Sequence, residues 1–389
     1  MGKTIKDLLL LLLLTFITTL LIWLPHILAL PNFWGLSFKQ GFSTIYRNFD
    51  GLEYIAIAKS FYSPSTLSGL PYSQPAIYYA SHFPGFPILI SLLAPFLGFL
   101  KSMLFVSLAS TTLAVWAFYL FVKNLKLSQS PLFLSSLFLI LPARWLIIHS
   151  VGSSEPLFIF LIISAVYFFI RFEQSRHFSD ILLAALFGLF AQITRPPGIL
   201  LFVALMFYVH FKFHLQTKII GLQKAWLNHL KFFPMILIPI GLFGVFYLYG
   251  QRYGDFFAYF HSGDNIHLTF PPFQVFNKAQ FWVGDIWLED IVYIFILGFL
   301  GGIMLWKKKL HSLSFFVLTY LIASTFVAHR DISRYLLPIS PFLLIAFEKV
   351  LTSREFKIIL PIIALAIYLY CQNFILANTA PIPNLQFFN

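Results

Sequence analysis

Asp50 and Glu53 stand three residues apart in the segment RNFDGLEYIAIA, residues 47–58, and they are two of only 14 acidic residues in a chain of 389. An aspartate so placed can take a proton from a hydroxyl as a general base. It can also simply start a helix, because an aspartate followed three positions later by a glutamate fits a capping box. On a helix beginning here, Asp50, Glu53, Tyr54 and Ile57 share one side. A second group is basic. HRDISRYLLP, residues 329–338, sets Arg330 and Arg334 four apart. On a helix these guanidinium groups share a face and repel. Asp331 relieves part of that, and a bound phosphate relieves more, since guanidinium matches phosphate in two-point contacts. Glu155 lies in HSVGSSEPLF beside the helix-start residues Ser154 and Pro156. Arg195 lies in ITRPPG, where an arginine can also reach lipid phosphates. His261, Asp264 and His267 recur every three residues in HSGDNIH, and two histidines with a carboxylate can hold a metal, although spacing alone is weak support for one.

The elements that must position these residues are apolar. Apolar residues make up 59% of the chain and charged residues 10%, against about 25% charged in a soluble domain. The apolar residues fall in about a dozen runs of roughly the length that crosses 30 Å of hydrocarbon. The first, 8–30, is too long for a signal-peptide core and lacks a small-residue cleavage site, so it is expected to be retained. The run 84–100 stands apart, with Pro84, Pro87 and Pro95 in it. Proline disturbs a helix, and irregular backbone at membrane depth needs protein or water around it.

Charge placement settles how that run is read. If 84–100 lies in the interface or re-enters, most of the 26 basic residues fall on the inner side, including the KKK run and the basic loop 212–231. If it crosses, those loops move outside. The expected architecture is therefore all-α, a polytopic transmembrane helical bundle with about 11 crossings plus an interfacial or re-entrant, proline-broken segment at 84–100. The same topology collects Asp50, Glu155, Arg195, Arg330 and Arg334 on the outer face. Inward-facing lysines account for most of the net charge of +12, which argues against a nucleic-acid partner. The one cysteine, Cys371, excludes an intramolecular disulfide and a cysteine metal site. The chain reads as a single membrane domain, 1–389, with outer loops 31–101 and the aromatic-rich 251–287 forming much of the active face.

Five short motifs, in order along nearly the whole chain, resemble the GT-C superfamily of membrane glycosyltransferases, most closely the PIG-V-type mannosyltransferases and their bacterial relatives. RNFDGLEYIAIA resembles that family's WDG segment, HFPGFPILISLLA (82–94) its FFP-x-x-P segment, GSSEPLFIFL (152–161) its SE segment, ITRPPGILL (193–201) its TR-x-x-G segment and SRYLLPISPFLL (333–344) its RY-x-x-P segment. Phe49 replaces the usual tryptophan, and Glu53 stands where an aromatic or small residue is common, so the superfamily is marked more closely than the sugar.

The resemblance implies a GT-C fold with an outer active site and inverting transfer of a hexose, with mannose the first choice, from a polyprenyl-phosphate sugar to a lipid or glycan acceptor. It makes Asp50 the base. Arg330, Arg334 and Arg195 would meet the donor phosphate, and Glu53, His82, Glu155 and Tyr335 would bind substrate. No cofactor is expected. A donor with a single phosphate can be neutralised by arginines, so no metal is expected either, with His261, Asp264 and His267 as the alternative set. A partner subunit is compatible with the family. The membrane would be the plasma or inner membrane with a cytoplasmic N-terminus, or the endoplasmic reticulum in a eukaryote. A transporter or flippase of lipid-linked sugars is the alternative. It would spread charge along a pathway through the bilayer and show inverted repeats.

Overall fold

The computed structural model describes residues 2–70, 74–279, 287–381 and 385–388. Parts of both expected outer loops, 71–73 and 280–286, therefore lie outside the described residues. Among the described residues the regular elements are helices, with three isolated bridges and no named strand. Among the described residues, seven helices are long and apolar enough to cross a membrane: Gly2–Ile27, Phe99–Asn124, Glu155–Ser175, Gly198–Ile220, Phe233–Tyr253, Glu289–Lys307 and Arg354–Ala377. Shorter apolar helices lie at Gly85–Leu97, Phe178–Thr194, His311–Thr325 and Ile332–Ala346. The chain is an integral membrane protein with the helical bundle the apolar runs foretell.

Two runs differ from the expectation in their continuity. Run 131–149 divides into helices Pro131–Leu137 and Ala143–His149. Run 334–350 divides at the turn Leu337–Ile339. The interruptions fall at Pro142 and Pro338, which lack the N–H a helix interior needs. Segment 84–100 goes the other way. Its three prolines predict a broken segment, but Gly85–Leu97 is one continuous helix. Pro84 is its N-cap and Pro87 lies in the first turn, where the N–H groups have no helical partner anyway. Only Pro95 sits inside, close to the end. Thirteen residues rise only about 20 Å, short of the hydrocarbon thickness.

The chain divides into two compact units. The first holds Met1–Phe160, Val245–Asp264 and Glu348–Asn389. Its N-terminal helix is stitched down by polar bonds at both ends. Lys123 Nζ donates to Thr4 Oγ1 at 2.6 Å, Tyr119 O–H donates to Asp7, and Trp116 Nε1 donates to the Leu8 carbonyl at 2.9 Å. Farther along, Gln372 Nε2 donates to the Ile22 carbonyl at 2.9 Å and Trp23 Nε1 to the Ser150 carbonyl at 2.7 Å. Lipid cannot satisfy such groups, so each bond fixes register as well as contact.

The second unit holds Leu161–Gly244 and Asn265–Phe347. Within it Gly198–Ile220 packs on His311–Thr325, and Trp287–Lys307 packs on His311–Thr325 and Ser340–Ala346. Arg195 ends helix Phe178–Thr194 in extended backbone, and the next helix begins at Gly198. A Cβ on Gly198 would lie 2.5 Å from the Gln192 Cα and 2.8 Å from its nitrogen. Backbone cannot step aside as a side chain can. Gly198→Ala is expected to cost about 1–3 kcal/mol by overpacking, read as a lower unfolding temperature in detergent. An unchanged temperature would show that this turn opens without penalty.

Candidate active site

Asp50 is held by a turn that the far end of the chain pins down. Asn48 is buried and its Nδ2 donates to the Ile375 carbonyl at 2.7 Å. The Ala380 N–H donates to the Arg47 carbonyl at 2.8 Å. Phe49 takes a left-handed φ of 47° and stacks on Phe374 at 5.5 Å. A bulky residue in that region is strained, so the surrounding contacts must impose it. Helix Gly51–Ser60 follows directly. It comes very close to the 150–154 turn because Gly51 and Gly152 have no Cβ, and Met103 fills the space between. Tyr54 O–H and Ser154 Oγ, 2.7 Å apart, join the helix to that turn, and Ser107 Oγ donates to the Ser153 carbonyl at 3.2 Å.

The capping box that DGLE permits does not form. Asp50 occupies the N-cap position but makes no side-chain cap bond. Glu53 turns toward residues 78–82 instead. Tyr78 O–H donates to Glu53 Oε1 at 3.3 Å, and His82 Nε2 lies 3.2 Å from Glu53 Oε2 and 3.9 Å from Asp50 Oδ2. On the other side of the ring, His82 Nδ1 is 2.7 Å from Ser81 Oγ. Ser81 Oγ also lies 2.8 Å from the Tyr78 carbonyl and 3.4 Å from Asp264 Oδ2. With the serine proton given to one of those oxygens, Ser81 accepts from His82 Nδ1, while Nε2 faces the two carboxylates without an aligned hydrogen bond to Glu53 Oε2. Two carboxylates facing Nε2 favour an imidazolium.

Electrostatics agree. Burial opposes charge on the His82 ring, but hydrogen bonds and charge from Asp50 and Glu53 outweigh it and push the ring up to about 10. Burial also raises Glu53 above the ordinary glutamate value. His82 opposes that rise, and Asp50 and Asp264 add to it. The ring is 7% exposed and packs edge-on against Tyr54 at 5.2 Å. The two carboxylates differ in access: Glu53 is 13% exposed and Asp50 30%. Glu53 is thus the inner partner of the cation, and Asp50 is the carboxylate a substrate can reach. Asp50, Glu53 and His82 also offer ligand atoms within 4.8 Å of one another, a set of the right chemistry for a divalent cation.

The other sequence candidates fall in several places. Glu155 is buried in the first unit as the first residue of helix Glu155–Ser175, directly after Ser154. Arg195, Arg330, Arg334 and Tyr335 belong to the second unit. Arg330 and Arg334 do not share a helix face, because the helix starts only at Ile332. Arg334 is buried and Arg330 exposed. Among the alternative metal set, His261 Nδ1 pairs with Asp255 at 2.6 Å, Asp264 accepts from Ser81, and His267 Nδ1 lies 3.2 Å from Asn265 Nδ2.

Sequence reasoning passed over Tyr78, Ser81 and Arg144. Arg144 is buried, and its guanidinium carbon lies 4.1 Å over the Phe374 ring, the same ring that stacks on Phe49. The signal that could have found it is a lone charge inside an apolar run, which is expensive in a membrane and therefore functional by default.

No family model matches the sequence, and no curated protein matches it. Among solved structures the chain is similar to ArnT from Cupriavidus metallidurans bound to undecaprenyl phosphate. The TM-score is 0.56 at 13% identity, over 92% of this chain and 63% of that one. The fold is of the GT-C type. The chain spans less than two thirds of the length of that GT-C structure. Identity this low carries the GT-C fold and leaves the chemistry to the residues.

Proposed function

We propose that the chain is a glycosyltransferase of PIG-V-like type. It moves a hexose, with mannose the first candidate, from a polyprenyl-phosphate sugar to a lipid or glycan acceptor on the outer face of the membrane. The observation that carries this is the reachable Asp50 carboxylate backed by the Glu53–His82 pair, on the motif that resembles the family's first acidic segment. The GT-C fold and a structural neighbour bound to undecaprenyl phosphate support a lipid-linked donor.

In this mechanism Asp50 takes the proton of the acceptor hydroxyl. The oxygen attacks the anomeric carbon on the face opposite the phosphate, the bond to the phosphate breaks, and the lipid phosphate leaves with the electron pair. The family resemblance gives Arg195, Arg330 and Arg334 the task of stabilising the charge that develops there. Glu155 and Tyr335 orient sugar or acceptor hydroxyls. Glu53 and His82 hold Asp50 and supply an internal cation, so the reaction does not require a metal.

The test is turnover by purified protein given polyprenyl-phosphate mannose and a pool of membrane lipid and glycan acceptors, with release of free polyprenyl phosphate followed. Release at the same rate with and without EDTA is the expected result. A rate abolished by EDTA would assign the Asp50, Glu53 and His82 set to a metal. No release from any donor sugar, with lipid-linked sugar crossing between leaflets in liposomes, would make the protein a transporter.

A further inference from the structure

The basic stretch of the second unit forms something the transfer reaction does not use. Between Asp180 and Asp255 there is no acidic residue, while Lys212, Lys218, Lys224 and Lys231 follow one another at intervals of six or seven. Helix Leu222–Leu230 lies in the middle of this stretch. At 100° per residue it has three sectors. Leu222, Trp226, Leu227 and Leu230 are exposed on one. Lys224 is on a second, continued by Lys231 just beyond the helix end. Ala225, Asn228 and His229 face inward, where with Arg176, Lys212 and Gln216 they line a shallow surface cleft open to solvent.

Each sector has its own chemistry. An exposed row of leucines with a tryptophan, flanked by lysines, is how a helix lies in a bilayer interface rather than in water. The cleft beside it presents cations at headgroup depth. Lys212 Nζ is fixed by Glu173 at 2.6 Å, and Tyr208 O–H donates to the same Glu173 oxygen at 2.7 Å, so the ammonium is held in place. Arg176 is exposed, with its guanidinium over the Phe172 ring at 5.6 Å. Trp226 stacks on His229 at 5.7 Å, which joins the apolar sector to the cleft wall. Lys212 is partly offset by Glu173, while Arg176 lies between Glu173 and Asp180 in sequence, and those two carboxylates are engaged by Lys212 and by Arg171 and Ser175. Basic pockets between helices on the cytoplasmic side select anionic headgroups.

We propose that this cleft is a binding site for an anionic glycerophospholipid. The phosphate sits between Arg176 and Lys212, and the acyl chains run along the exposed Leu222–Trp226–Leu230 row. By the positive-inside rule this is the inner leaflet. The site goes beyond the proposed transferase chemistry and stands or falls without it.

The experiment is native mass spectrometry of the full chain in detergent, titrated with phosphatidylglycerol or with phosphatidylcholine of the same acyl chains. The first phosphatidylglycerol adduct is expected to form about tenfold more tightly than the phosphatidylcholine one, the order of the ~1 kcal/mol each basic group contributes at an anionic surface. In R176Q/K212Q the preference should fall below twofold. Arg176→Gln alone leaves the Lys212–Glu173 pair intact, so it is the safe variant for folding, and it should lose about half of the logarithmic preference. W226S/L227S should weaken the adduct while keeping the preference for the anionic lipid. Equal binding of both lipids by the wild type, or an undiminished preference in Arg176→Gln and R176Q/K212Q, would overturn the proposal. So would displacement of the lipid by an equal concentration of glycerol phosphate, which would make this a site for a free phosphate.

Discussion

Asp50→Asn is expected to lower sugar transfer by about 10²–10⁴-fold, the usual worth of a positioned general base, with little change in substrate KM. Asparagine keeps the shape of the side chain and removes the basic carboxylate that takes the proton. The variant should fold, because Asp50 makes no cap bond that the substitution would break, and the 47–49 turn is held by Asn48, Phe49 and Arg47 instead. Glu53→Gln run beside it separates the two carboxylates. Glu53 is the less exposed and the closer to His82, so its loss should affect stability more than the chemical step. A rate within fivefold of wild type for Asp50→Asn would remove Asp50 from the mechanism. A larger kinetic loss in Glu53→Gln than in Asp50→Asn would move the base to Glu53.

Much of this protein is legible in its sequence, for a reason that belongs to membranes. A crossing helix must be apolar over a fixed length, so the runs mark the helices almost one for one. Prolines were harder to read. Pro142 and Pro338 break their runs, whereas Pro84 and Pro87 do not disturb theirs, and the difference is only a matter of position within a turn. At the site, the Asp50 motif could be picked out from its rarity and spacing. Its bonding could not. DGLE fits a capping box locally, and what defeats the box is His82, brought to Glu53 from 29 positions away by the packing of Gly51–Ser60 on Gly85–Leu97. Arg144 stands out in sequence as a lone charge in an apolar run, but its partner does not: nothing near it announces Phe374. Arg330 and Arg334 show the reverse error, since four-residue spacing means a shared face only if the helix includes both, and here it begins between them.

His82→Gln should produce the largest loss of stability among substitutions at the site. It removes the cation from beside a glutamate that is only 13% exposed, and breaking a buried ion pair on one side costs about 3–5 kcal/mol. The pH dependence follows from the direction of the shift. His82 is raised from an ordinary 6.5 to about 10, so the stability it contributes is complete below about 6.5 and fades as pH climbs through about 10. The unfolding-temperature gap between wild type and His82→Gln should therefore be wide at pH 6.5 and close toward pH 10. A gap that widened with pH would mean the ring is neutral in the fold. Activity supplies a second, independent reading. If His82 works by holding Asp50, then His82→Gln should lower kcat in an otherwise native protein and change almost nothing in an Asp50→Asn background, because residues that act as one unit are not additive. If His82 instead bonds a sugar hydroxyl, KM should rise and the loss should persist in both backgrounds. The ring geometry favours the first outcome, since Nδ1 is 2.7 Å from Ser81 Oγ and Nε2 faces Glu53 and Asp50, so both nitrogens are turned toward protein groups.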